Sequence, residues 1–297
     1  MPRLFILLQY LLPHHLLSRG VGILAQSHLL RKLFIITFIK RYKVDLSQAK
    51  IQEIEEFENF NAFFTRELRP NARPLSSARG AIVCPADGAV SQLGNIKNGK
   101  LLQAKGKLYS CENLLAGDAQ MTALFQAGKF ATIYLSPRDY HRVHMPVAGI
   151  LKKTIYIPGK LFSVNQKTAD SVPNLFAKNE RLVCLFDTEY GPMAVILVGA
   201  MIVAGIDTVW AGQVCPAAGK REIQITDYSN QIPVVQLPLG AELGRFRLGS
   251  TAIVLFPHGT IKFKSSLEAT SSVAMGELLG QVTSAHEKMA EGYHDSK

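Results

Sequence analysis

The sequence RLGSTAIVLF occupies residues 247–256, and the interpretation of the whole chain depends on it. Its second half, Ala252–Phe256, is an apolar run bounded by Gly249 and Pro257, a pattern that predicts a buried β-strand. Gly249 has no Cβ, so its carbonyl group can be approached closely. Ser250 could therefore attack that carbonyl and turn the peptide bond into an ester. On these residues alone, a turn with local Ser and Thr hydrogen bonds is the simpler explanation.

The first 50 residues carry most of the net positive charge. The 297-residue chain has a formal net charge of +10, and eight Lys and Arg residues opposed by Asp45 alone place +7 of it in residues 1–50. The apolar runs Leu4–Leu17 and Leu33–Ile39 are shorter than the ~20 residues that a membrane-spanning helix needs. We therefore expect helices lying in the interface of an anionic membrane, with helices packed on their own domain as the alternative. No nucleic-acid-binding signature accompanies the charge, so nucleic acid is not an expected partner.

The rest of the chain predicts a β-rich body. Apolar residues recurring every three to four positions between Ile51 and Leu68 predict one amphipathic helix, and Met193–Ile206 predicts one long strand kinked by glycines. A helical end is expected after Thr283. The fold class is α+β, with basic amphipathic N-terminal helices followed by a body of mostly antiparallel strands. Further strands are predicted at Ala81–Cys84, Ala89–Leu93, Leu101–Ala104, Lys129–Leu135, Ile150–Ile157, Arg181–Asp187, Ile223–Ile225 and Thr251–Phe256.

Polar side chains concentrate in two places upstream of Ser250. Asp87 precedes Gly88 in a typical hairpin pair, and the loop Tyr134–Pro146 holds His141 and His144 among further charged residues. A metal site would need third and fourth ligands, which this loop does not offer, and the four cysteines are far apart; we expect no metal. Asp, His and Ser are the components of a nucleophile activated by an oriented base. The Gly-x-Ser-x-Gly pattern of many hydrolases is absent around Ser250.

Six stretches in order resemble the phosphatidylserine decarboxylase family, in its bacterial, membrane-associated form. They cover roughly residues 55–265, and a lone Leu-Gly-Ser-Thr would be weak evidence without the others. The stretches are Phe60–Leu68, Pro85–Gly88, Tyr134–Pro146, Pro158–Asn165, Asn174–Arg181 and Leu248–Thr251.

The resemblance implies a self-processing proenzyme. Cleavage between Gly249 and Ser250 would convert Ser250 into a covalent pyruvoyl group, leaving a β chain of residues 1–249 and an α chain of residues 250–297. His144 corresponds to the base of that cleavage, Asp87 to the carboxylate that holds this base, and His141 to a histidine of the decarboxylation step. Residues 1–50 would be a membrane-associating helical segment, and residues 51–297 the catalytic domain.

The activity implied is the decarboxylation of phosphatidylserine to phosphatidylethanolamine and CO2. The pyruvoyl carbonyl would react with the amine of the serine headgroup and act as an electron sink, without metal or diffusible cofactor. The implied enzyme is an α/β heterodimer made from one proenzyme, itself paired as a homodimer, bound peripherally to the cytoplasmic side of the cell membrane. Two hypotheses remain beside it: a lipid-binding protein without catalysis, and a serine hydrolase that uses Asp87, His144 and Ser250 on an external ester.

Overall fold

Three helices begin the chain. The computed structural model describes residues 2–201, 205–215, 222–247 and 250–283. Helices α1 (Pro2–Leu11), α2 (His14–Gln26) and α3 (Arg31–Tyr42) follow one another with short breaks. Within the described residues no single helix is long and apolar enough to cross a bilayer; α2 and α3 reach that length only together, and the chain bends by 112° between them.

The single amphipathic helix predicted for residues 51–68 is wrong. The structure has a 3-10 helix over Ile54–Glu56 and a separate short helix, α4 (Phe60–Phe64). The backbone is extended at Phe57 and Asn59, and the Asn59 side chain caps α4 by accepting a hydrogen bond from the Ala62 N–H at 2.8 Å. An Asn that competes for backbone donors favours a helix start over a helix interior. The apolar spacing therefore indicates which side chains are buried, but the chain forms a 3-10 helix and a separate short helix there and not one long helix.

The body is a set of antiparallel sheets, which confirms the α+β class. Short helices lie between its strands: α5 (Cys111–Leu114), α6 (Ala119–Phe125), α7 (Gln166–Ala169) and α8 (Leu175–Lys178). Strands β1 to β9 cover Ala81–Val83, Gly88–Asn95, Lys100–Ala104, Lys107–Ser110, Lys129–Leu135, Arg142–His144, Gly149–Ile157, Arg181–Thr188 and Gly191–Gly199. Strands β10 to β18 cover Ile206–Thr208, Gly212–Cys215, Gln224–Asp227, Gln236–Leu237, Glu242–Phe246, Ser250–Phe256, Ile261–Phe263, Ser272–Val273 and Leu278–Val282.

Strand β15 lies inside the largest sheet. Among the described residues this sheet has nine strands in the order β12-β7-β8-β9-β15-β5-β2-β17, with β13 beside β7. All seven residues of β15 are buried, as the apolar run predicts. Ala252, Val254 and Phe256 pack into one hydrophobic cluster, whereas Ile253 and Leu255 pack into another. This alternation places a core on each face of β15, because successive strand side chains point to opposite faces.

The predicted strand Met193–Ile206 is two elements instead of one. Strand β9 ends at Gly199, and β10 begins at Ile206 in a different sheet, paired with β11 and β14. Gly199 packs closely against the Glu180 carbonyl oxygen and the Leu161 side chain. The apolar composition correctly indicates β-structure, but the chain passes from one sheet to another between the two strands. The helical end predicted after Thr283 lies outside the described residues.

A third hydrophobic cluster joins the N-terminal helices to the following turns. Ala25 of α2 and Ile35 of α3 are buried with Phe57, Phe63 and Phe64. The ring of Phe38 lies 5.1 to 6.0 Å from the rings of Phe60, Phe63 and Phe64. The helices α2 and α3 are therefore anchored on the segment around α4.

Candidate active site

Strands β2, β5 and β15 place Asp87 and Ser250 at one edge of the large sheet. Tyr134 of β5 pairs with Ala89 of β2 on one side and with Thr251 of β15 on the other. Ser250 and Gly88, which directly precede these partners, are therefore separated by two inter-strand spacings, roughly 10 Å between their backbones. Asp87 is the residue before Gly88. Gly88 is needed for this approach, because a Cβ there would lie 2.2 Å from the Tyr134 carbonyl oxygen.

The histidine loop reaches the same edge through backbone hydrogen bonds. The His144 N–H donates to the Pro85 carbonyl at 2.7 Å, two residues before Asp87. The Phe246 N–H donates to the His141 carbonyl at 3.0 Å, four residues before Ser250. The structure thus brings the loop against both segments that carry the other predicted residues.

Ser250 is the first residue of β15 and is fully buried. Its Cα pairs with Gly199 on one side and Leu135 on the other. The Oγ atom has no hydrogen-bond partner among the described residues, and neither has the Oγ1 atom of Thr251. A buried hydroxyl without a partner is costly, because its hydration is lost without compensation. Gly249, the other half of the predicted cleavage site, lies outside the described residues.

Two hydrogen bonds fix the tautomer of His144. Its Nδ1 donates to the Gly240 carbonyl at 2.8 Å, since a carbonyl can only accept. Its Nε2 then carries the lone pair and accepts from the Tyr140 hydroxyl at 3.0 Å. Burial lowers the pKa of His144 below its usual value, against the raising effect of Gly240. The imidazole is therefore neutral at pH 7, the form in which it can take up a proton.

Asp87 is held by an arginine and by a backbone amide. The Arg73 Nε donates to its two carboxylate oxygens at 2.9 and 3.1 Å, and the Arg73 Nη2 makes a further short contact. The Met275 N–H donates to Asp87 Oδ1 at 2.8 Å. No hydrogen bond joins Asp87 to His144 among the described residues, although the Asp87 charge is near enough to oppose the lowering of the His144 pKa. The holding role predicted for Asp87 stays a prediction.

His141 is fully buried beneath Phe64. The two rings stack with centroids 3.9 Å apart, and neither ring nitrogen makes a hydrogen bond of standard geometry in the described part of the chain. Burial, and then the charge of Arg66, lower the pKa of His141 to about 3. The backbone of Pro137 and Ser136 is near enough to oppose this lowering of the pKa. His141 is accordingly neutral at pH 7.

Arg66 adds a buried positive charge beside this histidine. Its Nη2 donates to the carbonyls of Arg138 and Asp139 at 3.1 and 3.3 Å, while its Nε has no partner among the described residues. The charges of Asp87 and Asp139 raise the pKa of Arg66, against the larger lowering effect of burial. The site thus combines neutral imidazoles with a guanidinium group that has an unused donor.

Sequence reasoning missed three contributors to this site. Tyr140 and Arg66 lie inside stretches that carry the family resemblance, but their roles require the folded contacts. No spacing rule links Arg73 to Asp87. Among the described residues, no group of His, Cys, Asp and Glu side chains is arranged to hold a metal ion.

Comparisons with known proteins show which family the chain belongs to. A family model described as phosphatidylserine decarboxylase matches residues 60–281, and a second model, described as PSD, matches residues 4–43. The phosphatidylserine decarboxylase proenzyme of Ectopseudomonas mendocina is 59% identical over 281 residues, which cover 94% of this chain and 98% of that protein. The proenzymes of Pseudomonas putida and Pseudomonas aeruginosa are each 58% identical, covering 95% and 93% of this chain and 99% and 96% of their own lengths. The chain therefore belongs to the phosphatidylserine decarboxylase family.

Proposed function

We propose that this chain is a pyruvoyl-dependent enzyme that decarboxylates phosphatidylserine to phosphatidylethanolamine and CO2. Membership of the family supports the activity, because the relatives are named as proenzymes of phosphatidylserine decarboxylase. The observation that carries the site is Ser250, whose hydroxyl is fully buried without a partner at the sheet edge where His144 and Asp87 also lie.

Maturation requires only residues of this chain and one water molecule. The Ser250 Oγ attacks the Gly249 carbonyl carbon, the C–N bond breaks, and an ester forms while the serine nitrogen becomes a free amine. Loss of the Ser250 α-proton then expels Gly249 as a carboxylate. The remaining enamine takes up a proton to form an imine, and water replaces its nitrogen, which leaves as ammonia. The residues at this position fit a pyruvoyl group, because the three carbons of Ser250 supply it.

His144 has the protonation state that the first step needs. As a neutral imidazole with its lone pair on Nε2, it can accept the Ser250 hydroxyl proton once the Tyr140 hydroxyl gives way. The Gly240 carbonyl keeps the opposite nitrogen protonated and would hold the imidazolium that forms. Asp87 contributes a negative charge that stabilises that imidazolium, as the carboxylate of a catalytic triad does.

We infer that the neutral His141 acts on the substrate carboxylate. The pyruvoyl carbonyl supplies an electron sink for the electrons released with CO2. A neutral His141 can donate one hydrogen bond to the carboxylate without holding it as strongly as an imidazolium would. Weak ground-state binding matters, because an interaction that is lost in the transition state slows the reaction. The buried surroundings favour loss of charge as CO2 leaves.

The proposal extends to location and assembly. Phosphatidylserine would be drawn from an anionic membrane by the basic helices, with the protein bound peripherally at the cytoplasmic side of the cell membrane. Exposed apolar side chains on α1 and α2 support this, including Leu11 at 74% and Leu16 at 71% exposure. The mature unit would be an α/β heterodimer derived from one chain, paired as a homodimer.

The decisive experiment is an intact mass spectrum of freshly purified protein under denaturing conditions. We expect two fragments, one ending at Gly249 and one starting from Ser250, the second lighter by one ammonia than a fragment with an N-terminal serine. The Ser250→Ala variant should stay as one chain and produce no phosphatidylethanolamine from phosphatidylserine vesicles. An uncleaved chain with full decarboxylase activity would contradict the proposal. Labelling of an intact Ser250 by a fluorophosphonate would favour a hydrolase instead.

A further inference from the structure

The bend between α1 and α2 forms a cleft against the body, away from Ser250 itself. The cleft has a volume of about 690 Å³, and its lining includes Gln9, His14, His15, Lys160, Phe162 and Lys178. Its polar residues come from the N-terminal helices on one side and from the segment around α8 on the other. Neither lysine contacts a carboxylate within the described residues, and the cleft lining contains no Asp or Glu.

Two buried side chains in this lining carry donors that make no hydrogen bond of standard geometry in the described part of the chain. Gln9 is 1% exposed; its Oε1 accepts from the Ser163 N–H at 2.8 Å, but its Nε2 has no partner among the described residues. His14 is 5% exposed; its Nδ1 accepts from the Leu161 N–H at 3.1 Å, so the hydrogen of the neutral ring is on Nε2. The Gln9 carbonyl is near enough to raise the pKa of His14, but no hydrogen bond of standard geometry is made by Nε2 within the described residues. Unused buried donors are unfavourable unless a ligand accepts from them.

The start of helix α2 adds positive potential at the same place. The helix has 13 residues, and Pro13 at its N-cap provides no side-chain acceptor. The first turn of a helix has N–H groups without intrahelical acceptors and carries a partial positive charge, which favours anions. The Lys160 and Lys178 ammonium groups strengthen that preference. The combination of donors and charge selects an anion with several acceptor oxygens.

The surroundings of the cleft select a lipid over a small anion. Leu12 and Leu16 belong to the lining, and both are exposed, at 40% and 71%. Leu11 extends this apolar surface. We propose that the cleft binds the phosphate group of an anionic glycerophospholipid, whose acyl chains lie along these exposed leucines. The proposal rests on the membrane association proposed above and adds to it a defined headgroup site.

Contacts connect this cleft to the catalytic residue. The ring of Phe162 packs between Tyr10 and His14, with centroid distances of 4.9 and 5.2 Å. Asn179 Nδ2 donates to the carbonyls of both Phe162 and Gly199, and Gly199 pairs with Ser250. A phosphate bound in the cleft would therefore fix the segment that packs directly beside the catalytic strand.

The test uses the full-length Ser250→Ala chain, which binds lipid without turning it over. Binding is measured by co-sedimentation with phosphatidylcholine vesicles that contain phosphatidylglycerol. The paired change Lys160→Gln and Lys178→Gln is compared with Arg19→Gln and Lys40→Gln, which removes the same charge from likewise exposed positions on α2 and α3 outside the cleft lining. We expect the cleft pair to lose about tenfold more affinity than the control pair, because charge-assisted hydrogen bonds are lost with the charge. Gln9→Glu, which keeps the acceptor for Ser163, should weaken binding as well.

A second measurement reports on the cleft directly. In histidine-labelled protein, the His14 ring-nitrogen signal is identified with His14→Gln and followed during titration with a short-chain phosphatidylglycerol. A saturable shift that inorganic phosphate does not reproduce supports a lipid site. Equal losses of affinity for the cleft pair and the control pair, or an equal shift with inorganic phosphate alone, would overturn the proposal. If wild-type protein cleaves itself but no His14 shift occurs, the cleft proposal fails and the decarboxylase proposal stands.

Discussion

His141 is a fully buried titratable residue. Its ring lies against Phe64, neither ring nitrogen makes a hydrogen bond of standard geometry among the described residues, and its pKa is lowered to about 3. A histidine that is neutral when folded and free to protonate when unfolded makes stability depend on pH. Between the unfolded pKa near 6.5 and the folded value, the unfolded chain binds a proton that the folded chain does not. Stability from this source is therefore present above that window and is lost as pH falls.

The first prediction follows from this linkage. In the Ser250→Ala background, the free energy of unfolding should fall by up to about 1.4 kcal/mol per pH unit more than in a His141→Leu variant, between about pH 6 and pH 4.5. Urea unfolding at several pH values measures the difference. Parallel pH profiles for the two proteins would mean that His141 titrates in the folded state and is not held neutral.

The second prediction concerns the pair of Arg73 and Asp87, whose side chains are 16% and 11% exposed. Arg73→Met should destabilise the protein by about 3 kcal/mol, because it leaves Asp87 as an unpaired charge in a mostly buried place. Adding Asp87→Asn should recover part of that loss, as expected for coupled groups. Urea unfolding gives all three values.

The control is Arg138→Met, whose ion pair with Asp139 is long and exposed, and which should cost less than about 1 kcal/mol. Additive losses for Arg73 and Asp87 would show that the two charges do not interact.

At the residue scale the sequence indicates candidate site residues but not the groups that hold them. Asp87, His141, His144 and Ser250 were predicted, and the structure places all of them near one edge of the sheet. Their hydrogen-bond partners come from distant segments, as with Met275 on Asp87 and Gly240 on His144. Backbone donors and acceptors have no residue signature, so their contribution could not be predicted from residue types.

Among the elements, the loop that precedes α7 depends on one side chain. Asn179 is fully buried and makes three hydrogen bonds: its Oδ1 accepts from the Phe162 N–H at 3.1 Å, and its Nδ2 donates to Phe162 and Gly199 at 2.9 and 2.8 Å. The amide thus joins the loop to β9, which pairs with the catalytic strand.

The third prediction uses this residue. Asn179→Ala should destabilise the protein by about 3 kcal/mol, because three buried backbone groups lose partners at about 1 kcal/mol or more each. The control is Asn165→Ala, which removes the cap of α7 in the same region, where Asn165 Oδ1 accepts from Thr168 at 3.0 Å. Loss of a helix cap costs about 1 kcal/mol. Thermal and urea unfolding compare the two; a smaller loss for Asn179→Ala than for Asn165→Ala would refute the anchoring role.

Element types were predictable where pattern and packing agree. The strand Lys129–Leu135 has the predicted ends, since its apolar residues are buried on both faces of the central sheet. The errors at residues 51–68 and 193–206 share one cause: apolar spacing reports burial, whereas the path of the chain is set by what it packs against. Phe57 and Phe63 are buried by contacts with α2 and α3, and those contacts accommodate a break at Asn59.

For the molecule as a whole, charge and apolar surface coincide at the N-terminal helices. The basic segment that gives the chain much of its net charge also exposes many of its large apolar side chains, among them Leu7, Leu11, Leu24, Leu29 and Leu33. A soluble surface seldom exposes so many apolar side chains close together, and such patches mark sites of association. Amphipathic helices were therefore predictable from the sequence, whereas their packing on α4 and on the loop around Gly159 was not.

The fourth prediction tests whether this surface enters a membrane. Leu11 and Ile23 are 74% and 72% exposed, so changing both to Ser should leave the melting temperature of the Ser250→Ala chain unchanged. If both side chains enter the acyl layer, the double variant should lose about 3 kcal/mol of binding free energy, or roughly a hundredfold in partition onto vesicles.

The matched control changes Ile225 and Val234 on the body, which are 61% and 53% exposed, to Ser. Co-sedimentation measures all three proteins. Loss of binding in the control as large as in the helix pair would mean that the membrane contacts the body instead. Unchanged binding in both would leave the basic charges alone responsible for association.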